Sequence, residues 1–84
     1  MPKNKGKYPT LDLHGKRTAE VPDLVDRFLS KHSNKSRVCI VPGKGTGAIK
    51  KALIDYLKLG HFPWEYETLP NGNKNTGSLI VILD

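Results

Sequence analysis

Two apolar stripes of identical helical spacing constrain this chain more than any other feature. Val21, Leu24, Val25, Phe28 and Leu29 fall at i, i+3, i+4, i+7 and i+8, and Ile49, Ala52, Leu53, Tyr56 and Leu57 repeat the pattern. Such a stripe belongs to a helix with one face in a core. Short strand-type segments alternate with these helices: residues 10–13 precede the first, 38–41 lie between them, and 64–69 and 79–83 follow the second. The order is therefore β-α-β-α-β-β. Two strand-helix-strand crossovers make the first two strands parallel, and the crossovers should be right-handed. The last two form a hairpin with a long loop over residues 70–77. Residues 79–83, Leu-Ile-Val-Ile-Leu, lack polar alternation and read as a strand in mid-sheet. Two helices suffice for one layer on one face of a four-stranded sheet, an α/β two-layer sandwich.

The element ends carry their own signals. Thr18 is placed to cap the first helix, with Glu20 and Asp23 at its positive end. Pro22 fits only near that end, and the helix should stop between Lys31 and Ser33. Gly60 is placed as the left-handed residue closing the second helix. Residues 1–9, with Lys3, Lys5 and Lys7, read as a flexible basic arm, and residues 10–84 as the domain.

At 84 residues the chain is a single domain with one modest core. Its single cysteine excludes an internal disulfide framework and a cysteine-built zinc site, and Cys39 is most simply a small core residue. No apolar run approaches the roughly 20 residues of a membrane-spanning helix. The basic amino terminus lacks the apolar segment of a secretory signal, so a cytoplasmic setting is expected. Lys and Arg number 14 against 8 Asp and Glu, a formal charge of +6. That excess points to anionic partners, nucleic acid first, although solubility alone also explains it.

Two loops leave the carboxyl ends of the first two strands and share one edge of the sheet, where open α/β sheets bind ligands. The first holds Asp12, His14, Gly15, Lys16 and Arg17. Asp12 and His14 are two apart on a strand and share a side. A carboxylate beside an imidazole can orient it and suit it to proton transfer near neutral pH. The second loop, Gly43, Lys44, Gly45, Thr46 and Gly47, runs into the second helix. Glycines let the backbone approach a phosphate, helix-start amides attract it, and Lys44 adds a full charge. The spacing matches neither a Walker A loop nor the dinucleotide fingerprint, so a backbone phosphate of a polymer fits better than a nucleotide cofactor. Lys16, Arg17 and Lys74 could neutralise further phosphates. Phe62, Trp64 and Tyr66 alternate and offer either a base-stacking platform or core packing. His32 and His61 stand at helix ends, where capping carbonyls is the ordinary role. Each feature also has a bland reading: a Gly-Lys-Gly turn can be only a turn, and an Asp-His pair only structural.

Leu11-Asp12-Leu13-His14-Gly15, a helix opening at Thr18, and Gly43-Lys44-Gly45-Thr46-Gly47 after an apolar strand together resemble the Smr (small MutS-related) domain family. The likeness runs from Leu11 to Leu83 and includes Gly72 and Gly77 before the last strand. It implies the sheet order 1-2-4-3 with strand 4 antiparallel, as in the carboxyl domain of bacterial translation initiation factor three. It also implies nucleic-acid binding, with many members nicking DNA or cleaving RNA without evident sequence specificity.

Transferred to this chain, the family boxes place Asp12, His14 and Lys44 as the catalytic set. Gly15, Lys16, Arg17, Gly43, Gly45, Thr46, Gly47 and Lys74 become nucleic-acid contacts. No tightly bound cofactor or metal is expected, because two candidate ligands are too few for a cage; Mg²⁺ shared with substrate phosphates remains compatible. Pro42 stands where the family often has His or Thr, which removes any side-chain proton transfer there. The rival expectation is a non-catalytic module binding nucleic acid or the ribosome through the same edge. Oligomeric state is open.

Overall fold

The computed structural model describes residues 8–43 and 47–83. In chain order these form β1 (Thr10–Asp12), a 3-10 turn (Thr18–Glu20), α1 (Val21–Lys31), β2 (Arg37–Val41), α2 (Ala48–Leu59), β3 (Trp64–Thr68) and β4 (Lys74–Ile82). The sheet order is β1-β2-β4-β3. β1 runs parallel to β2, while β4 is antiparallel to both β2 and β3. The apolar 79–83 segment thus occupies the middle of the sheet, where its lack of polar alternation is satisfied.

The core follows from the two periodicities. Val38 and Ile40 of β2 and Leu79 and Val81 of β4 point to one side, as period-2 residues must. There they meet Val21, Val25 and Leu29 of α1 and Leu53 and Leu57 of α2. Cys39 and Ile80 point the other way, face each other across the β2–β4 ladder, and are also buried. The backbone ladder begins before β1, since the Cys39 amide donates to the Pro9 carbonyl at 2.9 Å. Residues 8–9 are therefore tied to the sheet; the rest of the expected arm, 1–7, lies outside the described residues.

Three local expectations are corrected. First, the 70–77 segment is not a long loop. β4 starts at Lys74, and the connection is a tight turn in which the Gly72 amide donates to Leu69 O at 2.9 Å and the Leu69 amide to Asn73 O at 2.8 Å. The missing length is absorbed by an irregularity: Tyr66 pairs with Leu79 but Glu67 with Asn75, leaving residues 76–78 as a bulge in β4. Asn75 holds it, donating to Glu67 Oε1 (3.1 Å) and Ser78 Oγ (3.3 Å) while accepting from the Gly77 amide (3.0 Å). A side chain that replaces backbone partners in this way lets a strand absorb extra residues.

Second, Thr18 does not cap the first helix. The chain enters through a 3-10 turn preceded by Arg17, whose amide donates to Glu20 Oε2 at 2.8 Å. Pro22 lies in the first turn of α1, where its missing donor costs nothing.

Third, Gly60 is not the left-handed residue. Its φ is −86°, and His61 takes φ 57°. The Phe62 amide donates to Leu57 O (2.8 Å) and the His61 amide to Lys58 O (3.1 Å), a Schellman closure with histidine at C′. Gly60 is needed for space: a Cβ there would lie 2.6 Å from the Phe62 ring.

A candidate functional site at the carboxyl edge of the sheet

Because β1, β2 and β3 run the same way, the connections after all three leave one edge of the sheet. At β1 the ladder continues one residue further, the Leu13 amide donating to Val41 O at 2.8 Å. The chain then reverses: the Lys16 amide donates to Leu13 O at 3.0 Å, and Gly15 at φ 77° supplies the positive φ this turn requires. His14 stands exposed at the corner. Asp12 Oδ1 accepts the His14 amide at 2.8 Å. The carboxylate's hydrogen bond is thus to the histidine's main chain, where it fixes the turn rather than the imidazole.

The second loop meets the first at Gly43. Its φ is 86°, and a Cβ there would lie 3.1 Å from His14 Cα and 3.5 Å from His14 Cβ. The positive φ and the close approach to the histidine backbone both favour glycine here. Pro42, just before it, is buried. Past residues 44–46, Gly47 has φ 89° and leads into α2, its carbonyl accepting the Lys51 amide at 2.9 Å. The expected contacts Lys44, Gly45 and Thr46 lie outside the described residues.

Asp12, His14, Gly15 and Gly43 are therefore brought together, with exposed Lys16 and Arg17 continuing along the first loop. Lys74 stands apart. It opens β4, which β2 separates from β1, and its Nζ donates to Thr68 Oγ1 at 2.8 Å. Among the described residues no three His, Cys, Asp or Glu side chains converge as a metal cage. No helix of the described residues is long and apolar enough to cross a membrane.

Of the aromatic candidates, Phe62, Trp64 and Tyr66 all pack against the core. Trp64 and Tyr66 meet edge to face at 5.1 Å, and Phe62 stacks on Tyr56 at 6.4 Å. Core packing is thus their role here. The His32 ring packs edge-on against Phe28 at 4.8 Å. One residue absent from the sequence-based set is Lys50, whose Nζ lies 4.6 Å from the Tyr66 ring centroid. The signal was available: a lysine in the first turn of a helix opposes the dipole. Its neighbour Lys51 has Asp55 four residues on, whereas position 54 is Ile.

The protein-family model described as the Smr domain matches residues 11–84. Endonuclease MutS2 of Latilactobacillus sakei is 38% identical over 73 residues, 84% of this chain and 9% of its own length. Endonuclease MutS2 of Levilactobacillus brevis is 35% identical over 80 residues, 93% of this chain and 10% of its own length. The chain thus spans about a tenth of the length of these relatives. Among solved structures, the Smr domain of Thermus thermophilus MutS2 superposes with a TM-score of 0.71 at 28% identity, covering 90% of this chain and 98% of that one. The human small-MutS related domain gives 0.70 at 29% identity, covering 88% and 99%.

Proposed function

The chain belongs to the Smr domain family, and on that premise we propose that its carboxyl edge binds nucleic acid and cleaves phosphodiester bonds without sequence specificity. The observation that carries this reading is the contact of Gly43 with His14, which joins the imidazole-bearing turn to the glycine loop. A phosphate drawn to the glycine loop and Lys44 would lie beside an exposed imidazole. His14 would take the proton of the attacking oxygen, a water on DNA or the neighbouring 2′-hydroxyl on RNA. As the new P–O bond forms, the old one breaks and its oxygen leaves with a proton. Lys44 and the amides of residues 45–47 would stabilise charge on the phosphoryl oxygens. Asp12 would serve by holding the His14 main chain in place. Mg²⁺, if used, would be held chiefly by substrate phosphates, since among the described residues no three His, Cys, Asp or Glu side chains form a metal cage. A cytoplasmic setting belongs to the same proposal.

A second reading, a non-catalytic module for nucleic acid or the ribosome, draws support from Pro42 and from the engagement of Asp12 with an amide instead of the imidazole. Purified protein on supercoiled plasmid and labelled RNA, with and without chelator, separates the two. Cleavage by wild type that is lost in His14→Ala and reduced in Asp12→Ala and Lys44→Ala supports the nuclease. Cleavage unchanged in all three overturns the site, and binding without cleavage in wild type selects the module. A chelator-resistant rate removes Mg²⁺ from the proposal.

A further inference from the structure

We infer that Lys50 and Lys74 form a second phosphate-binding station on the helix side of the β3–β4 ribbon. The inference rests on the reading of the edge as a nucleic-acid site and extends it. Tyr66 and Thr68 are two apart on β3 and share a side of the sheet, the side on which Tyr66 meets the core. Lys50 is held over the Tyr66 ring, and Lys74 pairs with Thr68 across the ribbon and donates to its hydroxyl. Both cations are thus fixed by neutral partners, a ring and a hydroxyl, which orient a charge without cancelling it.

The described acids are otherwise engaged or turned away. Asp55 pairs with Lys51 at 3.1 Å. Glu67 is on the opposite side of β3 and accepts from Asn75, and Glu65 shares that opposite side. In addition, Lys50 lies in the first turn of α2, which contains no acidic residue. A lysine there opposes the helix dipole, an arrangement that costs stability unless an anion is bound.

The spacing suits a polyanion. The residues that anchor the two lysines, Tyr66 and Thr68, are about 7 Å apart along the strand, a span of about two phosphate steps along one duplex strand. α2 begins at the carboxyl edge directly after the glycine loop, so the station continues the track from His14 and Gly43 toward the ribbon. A nucleic-acid backbone crossing this edge would meet the loops first and the lysine pair second.

The test is the salt dependence of binding, measured with a 20-nucleotide single strand and its duplex. Wild type, Lys50→Gln, Lys74→Gln, the double variant, and Lys58→Gln at the far end of α2 would be compared. Each station variant should lower the log–log slope by about 0.9 on duplex and about 0.7 on single strand, and the double variant by about twice that. Lys58→Gln should leave the slope unchanged, and Lys50→Arg and Lys74→Arg should restore it. Wild type that binds while the double variant keeps its full slope overturns the station but not the site. Wild type that binds neither probe overturns the underlying reading. An equal loss of slope in Lys58→Gln also overturns the station, because the effect would then be one of net charge.

Discussion

The two ends of the sheet each contain a glycine pressed against a neighbour, and the two glycines are there for different reasons. At the carboxyl end, Gly43 has φ 86° and a Cβ would meet the His14 main chain. At the other end, Gly60 has φ −86°, which any residue can adopt, and a Cβ would meet the Phe62 ring. The first glycine sets its backbone against an exposed histidine. The second lets an aromatic ring close onto the core, and the left-handed conformation passes to His61. The same residue type thus meets a backbone requirement at one end and a packing requirement at the other.

Gly43→Ala should have the largest effect. It combines a positive-φ penalty of about 1–2 kcal/mol with a Cβ 3.1 Å from His14 Cα, to which the histidine turn must yield, and the rate of the proposed reaction depends on where the imidazole is held. Plasmid nicking should therefore fall far more than the denaturation midpoint. Gly15→Ala is the control, since it has the same sign of φ but nothing within 4 Å of its Cβ. It should cost about 1–2 kcal/mol and much less activity. Equal losses in the two variants would mean that the Gly43–His14 contact has no functional weight.

Gly60→Ala should reverse the pattern. Forcing the Phe62 ring aside should cost about 1–3 kcal/mol, read as a lower urea midpoint, with nicking and binding unchanged in the remaining folded protein. His61→Gly should then act in the opposite direction, stabilising by about 1 kcal/mol because glycine adopts φ 57° without strain. A destabilised His61→Gly would show that the histidine ring holds the corner in a way its backbone does not reveal.

This contrast also explains what could be read from the sequence. The helices, strand order and core were legible because they rest on periodicity: Val21 to Leu29 and Ile49 to Leu57 repeat at 3.6, and 79–83 is apolar throughout. The meeting of His14 with the glycine loop was legible from two loops sharing an edge. Side-chain replacements of backbone bonds were not. Nothing in the string Asn75-Thr76-Gly77-Ser78 shows that Asn75 will staple a bulge and turn an apparent loop into strand. Gly60 looks like a C′ residue because spacing cannot tell a glycine needed for φ from one needed for room. Asp12 looked like a partner for the imidazole because two-residue spacing places both on one side, yet an Asx-type bond to the amide is shorter-range and wins.

The smallest expected effect lies at the packing end, where Tyr56 donates to Asp26 at 3.1 Å and joins α2 to α1. Burial first, then the Asp26 carboxylate through its hydrogen bond and its charge, raises the Tyr56 pKa above the ordinary 10.0. The folded state therefore keeps this proton to higher pH than the unfolded chain does. The stabilisation is complete below about pH 10 and is lost as pH rises through the folded value. Tyr56→Phe should cost about 0.5–1 kcal/mol at neutral pH and remove that part of the alkaline decline, measured as Tm against pH. At the carboxyl end no comparable loss is expected, so nucleic-acid affinity at neutral pH should be the same in Tyr56→Phe as in wild type. A variant whose alkaline decline matched wild type would place the titrating group elsewhere and leave the Tyr56–Asp26 bond without a share in joining the two helices.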